Sequence, residues 1–266
     1  MNTVILVAGV LSLIIAFAAG LWAGRRGGPW LYPIAFIAMT VILVRGYFRF
    51  HPDFEFTLLF SDLYTSIRVW WAFPACFLFL GMAIFQAKRR WLRMTAEVLT
   101  GCMFAYFTQV ALTAVRMDYR SLRGIPGQDG VCLQSSQYSC GAAAAVSMLY
   151  LLGFRATERQ MAELCGTNAI SGTDEFAVCR GLRRYLAGQG CRIRVERSDW
   201  TKLGRERLPV MATIRLSFLI DHWVVIQKWT PDSVYVLDPL RGQTAFSRQE
   251  FDEAWREVLV TVRCGG

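Results

Sequence analysis

The chain has 266 residues, of which 54% are hydrophobic, and a formal net charge of +9. Because a single soluble domain of this length is rarely so apolar, we expect a membrane-embedded part and a separate globular part. Eight cysteines without a C-x-x-C pair, only two histidines and no P-loop motif exclude the usual metal and nucleotide sites, so we expect no cofactor, metal or nucleotide.

The first half contains four apolar spans, at residues 4–23, 30–48, 69–87 and 94–115. Each is close to the roughly 20 helical residues that cross a hydrocarbon core, and tryptophans lie at several span ends, where indole rings favour the interface. We therefore predict a bundle of four transmembrane helices in the lipid bilayer, within a domain of residues 1–120. Positive charge beside such spans indicates membrane anchoring, and we expect no nucleic-acid partner.

The short loops carry the charge that orients these spans. Basic residues follow the first span and the third: Arg25, Arg26, Lys88, Arg89, Arg90 and Arg93. Basic loops stay in the cytoplasm, which predicts a multi-pass protein of the bacterial cytoplasmic (inner) membrane with its C-terminal half on the extracytoplasmic, periplasmic side. Arg116, Arg120 and Arg123, after the last span, favour the opposite orientation.

Two features of this half have alternative interpretations. The stretch 53–68, "DFEFTLLFSDLYTSIR", is apolar on one side and acidic on the other, which indicates an amphipathic interfacial helix or a re-entrant loop. The stretch "AFAAG" offers a signal-peptide cleavage site at Ala16 and Ala18, but no basic region precedes the first span. Cleavage would leave three spans, and we expect the first span to be retained.

A globular domain, residues 130–266, follows a Gly- and Pro-containing stretch, 121–129, that is predicted to be a linker. The first part of the domain favours helices. Cys140 begins an Ala- and Leu-rich segment, and Thr157 with Gln160 has the spacing of a capping box. The next stretch, "GTDEFAVCRGLRRYL", has its apolar residues on one helical face.

The rest of the domain favours β-strands. Five β-branched or aromatic stretches are separated by turns: "CRIRV", "PVMATIR", "HWVVIQKW", "SVYVLD" and "VLVTV". Ser247 and Glu250 predict the cap of one short helix before the last of them. Helices followed by an antiparallel sheet predict an α+β fold.

Cys140 and His222 are the residues of this half that fit nucleophilic catalysis. A cysteine nucleophile acts as a thiolate, and a helix N-terminus and a nearby imidazole both lower its free pKa of about 8.5. Cys140 begins a predicted helix, and His222 is the sole histidine of this half. The alternative is that both are structural, as a small buried thiol and as a core histidine on an apolar strand.

A catalytic imidazole also needs an orienting acceptor, and a tetrahedral oxyanion needs hydrogen-bond donors. Asp221 is adjacent to the histidine on the same strand and points to the opposite face. Asp238, at the end of the next strand, can return to the level of the histidine. For the oxyanion, the cysteine backbone N–H and the Gln134 side-chain amide are the expected donors, and Gln137 is the competing residue.

Several short motifs occur here in one order: "Q-x-x-x-x-x-C-G" before an Ala-rich helix, "SGT", "LPVMATI", "DHWVVI", "YVLDP" and "SRQEFDEAW". Together, over about residues 130–262, they resemble the bacterial double-glycine peptidases, papain-like cysteine peptidases that trim leader peptides from bacteriocins. The resemblance implies a papain-like fold and a peptide or protein substrate cleaved after Gly-Gly. It also implies that Cys140 is the nucleophile and His222 the general base and acid. Asp238 is then the orienting residue and Gln134 an oxyanion donor.

The chain departs from the family pattern in two ways. Most family members precede an ATP-driven peptide exporter, whereas this sequence places the domain after the spans and contains no ATPase motif. Ser139 stands where the family commonly has an Asp. We therefore expect an exported peptide or a membrane protein as substrate, and other membrane proteins of an export system as partners.

Two other functions fit the same residues. The first is a catalytically silent peptide-binding or scaffold module of a membrane export or assembly system. The second is an acyl-transferring or cell-wall-cleaving enzyme that uses the same Cys–His chemistry. The joint presence of cysteine, histidine, aspartate and glutamine favours the peptidase, because a silent copy has no need of all four.

The remaining cysteines of this half form an odd set: Cys132, Cys165, Cys179, Cys191 and Cys264. At most two disulfides can therefore form among them, which an extracytoplasmic domain would permit. Five buried free thiols are the alternative.

Overall fold

The computed structural model describes residues 3–51, 54–55, 71–115, 117–217 and 220–265. They divide into two compact units, one formed by residues before 117 and the other by residues from 117 onward. Most of the predicted amphipathic stretch, 53–68, lies outside the described residues.

Four helices of the first unit have described boundaries: α1 (Thr3–Arg26), α2 (Leu31–Phe50), α3 (Phe73–Gln86) and α4 (Arg90–Val115). Two described stretches are long and apolar enough to cross a membrane, Val7–Arg26 and Leu31–Phe48. Helix α3, with 14 residues, is a shorter apolar helix, and the first two residues of the third predicted span lie outside the described part. Length and composition thus support two of the four predicted spans, and the four-span bundle is not confirmed.

Glycines let α1 and α3 pack backbone to backbone. A Cβ at Gly20 would overlap the Leu78 carbonyl oxygen of α3, and a Cβ at Gly81 would lie 2.7 Å from the Phe17 carbonyl oxygen. Beside this contact the Phe17 ring meets Phe77 and Phe104 edge to face, those two rings meet each other at a tilt, and Phe77 is fully buried. The first unit therefore has a packed interior of close backbone and aromatic contacts.

The two basic loops of the first unit meet at one end of the helices. Gln86, at the end of α3, donates its side-chain N–H to the Gly24 carbonyl near the end of α1, over 2.8 Å. The guanidinium groups of Arg25 and Arg93 both lie over the Phe85 ring, 5.2 and 5.8 Å from its centre. Both loops used above to predict the orientation are therefore on the same side of this unit.

The second unit begins with a 3-10 turn, Tyr119–Ser121, and five helices follow in its described part. These are α5 (Cys140–Leu151), α6 (Glu158–Cys165), α7 (Glu175–Tyr185), α8 (Trp200–Leu203) and α9 (Arg248–Ala254). The strands are β1 (Cys191–Arg197), β2 (Val210–Ser217), β3 (Ile220–Trp229), β4 (Ser233–Asp238), β5 (Gly242–Ser247) and β6 (Trp255–Cys264). They form one antiparallel sheet in the order β1-β6-β2-β3-β4-β5, which confirms the α+β prediction.

Besides the 3-10 turn, one strand and one helix of the second unit were not predicted from the sequence. Strand β5, "GQTAFS", lacks a β-branched run because it lies at the sheet edge, where its residues alternate between half-buried and exposed. Helix α8 is a single turn whose start is capped by the Asp199 carboxylate, which accepts from the Lys202 backbone N–H. The predicted capping box of Ser247 and Glu250 is present at the start of α9.

The core of the second unit lies on both sides of its sheet. Helix α5 is buried from Cys140 to Leu149, and its run of alanines allows it to lie close to β2, β3 and α6. A second apolar cluster, centred on Phe251 and Trp255, packs against side chains of β2, β3 and β4. Helix α5 is therefore held rigidly from several directions, and its first residue is Cys140.

The predicted linker segment packs onto the second unit. The Tyr119 hydroxyl donates to the Thr167 carbonyl over 3.0 Å, and Leu122 is only 2% exposed. Pro126 forms an isolated β-bridge with Cys132. The backbone of this segment is consequently ordered against the helices that precede the sheet.

Among the described residues one disulfide is present, between Cys191 and Cys264, which are directly paired residues at the ends of β1 and β6. The other cysteines of this unit are free and buried: Cys132, Cys140, Cys165 and Cys179. The odd set of five cysteines thus forms one disulfide and leaves three buried free thiols, where the alternatives were up to two disulfides or five free thiols.

Candidate active site

Cys140 is the first residue of α5 and is 9% exposed. The residue before it, Ser139, makes no side-chain cap for the helix: its hydroxyl donates to the Ser136 carbonyl over 2.9 Å and accepts from the Ser136 N–H. The first N–H groups of a helix have no acceptor within the helix and form its positive end. The thiol thus lies where a thiolate, or an oxyanion formed next to it, is stabilised.

The start of α5 is fixed against strand β3 by a close contact that requires glycine. A Cβ at Gly141 would lie 2.8 Å from the Thr173 side chain and 3.1 Å from the Trp223 ring. The Trp223 indole in turn donates to the Thr173 carbonyl over 2.8 Å. The start of α5 is therefore packed against β3 at the residue next to His222.

His222 and Asp238 are brought together by the register of β3 and β4. Ile226 is paired with Val236, so two residues further along Asp238 is level with Val224, on the same face as His222. The His222 Nε2 lies 2.7 Å from the Asp238 Oδ1, and both side chains are almost fully buried. Since a carboxylate only accepts, Nε2 carries the proton, which leaves Nδ1 for the hydrogen bond with the Cys140 thiol.

These contacts shift the pKa of both groups. Burial alone would lower the pKa of His222, but its hydrogen bonds with Asp238 and Cys140 outweigh burial and raise the pKa from 6.5 to about 9. Burial would raise the pKa of Asp238, but the bond from His222 and the Leu240 backbone N–H, 2.7 Å away, hold that pKa below its ordinary value. The site therefore favours a charged imidazolium beside a carboxylate.

Asp221 is not in this arrangement. Its Oδ1 accepts from the Arg256 Nε over 2.7 Å, and both side chains are more than a third exposed. The opposite orientation expected for neighbouring strand residues thus separates Asp221 from the imidazole.

Gln134 lies beside the end of β4. Its backbone N–H donates to the carbonyl of Pro239, the residue after Asp238, over 2.8 Å. Its side-chain Nε2 donates to the Ser136 carbonyl over 2.8 Å, and its buried Oε1 has no hydrogen-bond partner among the described residues. A primary amide has two N–H bonds, so one remains to face a ligand. Gln137 is exposed.

Sequence reasoning missed two residues that hold this site together. Glu158 is fully buried and accepts hydrogen bonds from the loop that carries Gln134. Thr173 accepts the indole N–H described above and bonds through its hydroxyl with Thr167 over 2.8 Å. Glu158 had no signal in the sequence, because it lies in a stretch typical of an exposed helix, whereas Thr173 belongs to the "SGT" motif quoted above but had no role assigned to it.

Within the residues that the structure describes, no group of three or more His, Cys, Asp or Glu side chains is arranged to hold a metal ion. A buried thiol, an imidazole and a carboxylate in series, next to a helix N-terminus and a side-chain amide, can carry out nucleophilic acyl transfer.

The family model of the Peptidase C39 family matches residues 129–265. Among curated relatives, a protein of unassigned function from Methanothermobacter thermautotrophicus is 30% identical over 138 residues, covering 52% of this chain and 91% of that protein. The "Probable functional amyloid protease FapD" of Pseudomonas aeruginosa is 28% identical over 134 residues, 48% of this chain and 58% of that protein. The lactococcin-G-processing and transport ATP-binding protein LagD of Lactococcus lactis is 25% identical over 130 residues, 49% of this chain and 18% of that protein.

Two solved structures are also similar. One is a double glycine motif protease from an AMS/PCAT transporter in complex with the leader peptide, with a TM-score of 0.44 and 21% identity over 55% of this chain and 96% of that one. The other is the peptidase domain of Streptococcus ComA, a bi-functional ABC transporter, with a TM-score of 0.45 and 16% identity over 54% of this chain and 99% of that one.

Proposed function

This chain belongs to the Peptidase C39 family and is a cysteine-type peptidase, and we propose that it is membrane-anchored and cleaves peptide bonds through Cys140, His222 and Asp238. The observation that carries this proposal is the buried series of contacts from the Asp238 carboxylate through the imidazole to the thiol. Partners at both nitrogens alone would also satisfy a structural histidine, but here they are a carboxylate and a thiol at a helix start, which is the order that nucleophilic catalysis needs.

In the proposed acylation step the Cys140 sulfur attacks the carbonyl carbon of the scissile bond. The carbonyl π electrons move to oxygen, and this oxyanion accepts hydrogen bonds from the Cys140 backbone N–H and the free Gln134 amide N–H. His222, protonated at Nδ1, then gives its proton to the leaving nitrogen as the C–N bond breaks. The products are a thioester on Cys140 and a free amine.

In the deacylation step a water molecule attacks the thioester. The now neutral His222 takes a proton from that water, the C–S bond breaks, and the acid product leaves. The proton on His222 restores the thiolate–imidazolium pair. Asp238 bonds to Nε2 throughout, so the imidazole presents Nδ1 to the sulfur in both steps.

The substrate that we propose is a polypeptide bound for export, cleaved after Gly-Gly in a leader segment. The resemblance to double-glycine peptidases supports the cleavage position, and the name of the lactococcal relative, a processing and transport protein, supports the link with export. Partners would then be other membrane proteins of the export system. The Pseudomonas relative is named as a probable functional amyloid protease.

We further propose four spans within residues 1–120, a linker at 121–129 and the peptidase domain at 130–266, on the extracytoplasmic side. Two observations support this side independently: both basic loops lie at one end of the first unit, and a disulfide is present in the second. C-terminal fusions to alkaline phosphatase and to a cytoplasm-active fluorescent protein test it. Phosphatase activity alone is expected, and fluorescence alone would contradict the assignment.

The enzyme itself is tested with the full chain in detergent and peptides that carry Gly-Gly or, as a control, Ala-Ala before the expected scissile bond. Mass spectrometry locates the cut. We expect cleavage after Gly-Gly that is absent in Cys140→Ala. Binding of the peptide without cleavage would support the silent module instead, and cleavage retained in Cys140→Ala would contradict the proposed nucleophile.

A further inference from the structure

Glu158 is a fully buried carboxylate that the proposed reaction does not use. It is the first residue of α6, and both of its oxygens accept hydrogen bonds. Oε2 accepts from the Gly124 backbone N–H over 2.8 Å and from the Ser135 hydroxyl, and Oε1 accepts from the Ser135 backbone N–H over 2.8 Å. A buried charge is retained at low cost only when donors surround it in this way.

The partners of Glu158 belong to two segments that come together beside the active site. Gly124 also accepts, through its carbonyl, the backbone N–H of Glu158 over 2.9 Å. Ser135 is the neighbour of Gln134, whose own backbone N–H is bonded to Pro239. Two adjacent residues at the start of this loop are therefore held in place, Ser135 by the buried carboxylate and Gln134 by the residue that follows Asp238.

The space around this carboxylate is closed. A Cβ at Gly124 would lie 2.6 Å from the Leu133 carbonyl oxygen, 2.7 Å from the Glu158 Oε2 and 2.9 Å from the Cys132 sulfur. Burial and the nearby Glu158 charge raise the pKa of the Cys132 thiol to about 12, so that neighbour stays neutral. The carboxylate has no other position to adopt without losing its donors.

We propose that Glu158 is a positioning residue that fixes the Gln134 loop so that the amide N–H points at the forming oxyanion. This inference rests on the proposed function, since it assigns a role in the same acyl transfer. Glu158 does not touch the substrate. It acts by tying Ser135, and thus the backbone of Gln134, to the packed start of α6.

The test separates two reactions of Cys140 in the full-length protein. Alkylation by iodoacetamide needs the activated thiol and no oxyanion donor, whereas acylation by a p-nitrophenyl ester needs both. In Glu158→Gln a side-chain NH2 group replaces one of the two accepting oxygens. It then faces an N–H of Gly124 or Ser135, and because two donors repel each other, the loop shifts. We expect acylation to slow by about 10- to 100-fold, because small misplacements of catalytic groups have effects of that order. Alkylation should keep its wild-type rate.

The matched control is Glu163→Gln, on the same helix, where the carboxylate is 45% exposed and paired with Arg159. We expect wild-type rates of both reactions in this variant. Ser135→Ala is a milder second variant, which removes one of the three donors and leaves the buried carboxylate with two. This variant should slow acylation by about 3- to 10-fold and leave alkylation unchanged. The expected loss is smaller than that for removing an oxyanion donor itself, because the Gln134 amide is still present.

Three outcomes decide the inference. Slow acylation with normal alkylation in both variants supports it. Wild-type acylation in Ser135→Ala and Glu158→Gln, while Gln134→Ala acylates slowly, would overturn it and leave the proposed function intact. If Glu158→Gln loses both reactions because it unfolds, Ser135→Ala decides alone. Failure of the proposed function looks different, since the wild type itself would then not acylate, or Cys140→Ala would acylate equally; the inference would be overturned with it.

Discussion

The His222 Nε2 lies 2.7 Å from the Asp238 Oδ1, with both side chains at most 3% exposed. This pairing fixes which imidazole nitrogen faces the thiol, because the nitrogen bonded to a carboxylate carries the proton. It also explains why an imidazole buried in an apolar sheet holds a charge, since the carboxylate offsets the loss of water.

The raised pKa of His222 predicts how stability depends on pH. A group that binds its proton more tightly when folded contributes stability in full below its unfolded pKa, here 6.5, and loses it as pH rises through the folded pKa of about 9. We therefore expect the urea midpoint of the full chain to fall between pH 6.5 and 9. His222→Gln should flatten this decline. Activity should fall over the upper part of the same range as the imidazolium loses its proton, and an alkaline limb near pH 7 would contradict the shift.

Asp238→Asn should weaken catalysis strongly. The amide offers an N–H or a neutral oxygen in place of the carboxylate, so the imidazolium loses its charge partner and its orientation. We expect kcat to fall by about 10²- to 10⁴-fold, with little change in KM. Asp221→Asn is the matched control, because that exposed carboxylate is bonded to Arg256, and it should stay within a factor of about two of the wild type. Equal losses in the two variants would argue against the assignment.

Gln134→Ala should slow peptide cleavage by about 10²- to 10³-fold, the usual effect of removing one oxyanion donor. The rate of iodoacetamide alkylation should not change, since that reaction forms no oxyanion. Gln137→Ala, in which an exposed side chain is removed, should cleave at the wild-type rate. If instead Gln137→Ala slowed cleavage and Gln134→Ala did not, the oxyanion donor would be Gln137 and the assignment of Gln134 would be wrong.

Removal of the Cys191–Cys264 disulfide should destabilise the second unit without stopping catalysis. The bond closes a sequence separation of 73 residues, for which the chain-entropy estimate is about 4 kcal/mol. The double variant Cys191→Ser with Cys264→Ser avoids a leftover thiol and should unfold at lower urea. Its midpoint should be insensitive to dithiothreitol, whereas that of the wild type should fall. A wild-type midpoint unaffected by reductant would show that the bond does not form.

Much of the second unit could be predicted because local patterns and packing agree there. Thr157 and Ser247 cap helices where the sequence indicates, and the β-branched stretches became β1 to β4 and β6. Strand β5 could not be predicted, because an edge strand buries few side chains and so needs no β-branched run. The third predicted span is only partly supported, since its first residues lie outside the described part and its helix is short.

The residues of the candidate site also divide into those that the sequence predicts and those that it does not. The sequence predicts Cys140, His222, Asp238 and Gln134 through their residue types and the family resemblance. Glu158 could not be predicted, because its partners are two backbone N–H groups and a serine that are distant in sequence. Such a carboxylate is buried because two loops fold over the start of its helix, and local sequence patterns do not show which loops will do so.

The most direct test of the central claim is the rate at which iodoacetamide alkylates each cysteine of the full chain near pH 7, located by mass spectrometry. Three buried thiols serve as internal controls, because burial raises the pKa of Cys132 and Cys165 to about 12 and that of Cys179 well above its ordinary value. We predict that Cys140 reacts at least about 100-fold faster than these three, and that His222→Ala removes most of this advantage. A Cys140 rate equal to that of the buried thiols, or unchanged in His222→Ala, would contradict an activated Cys140–His222 pair.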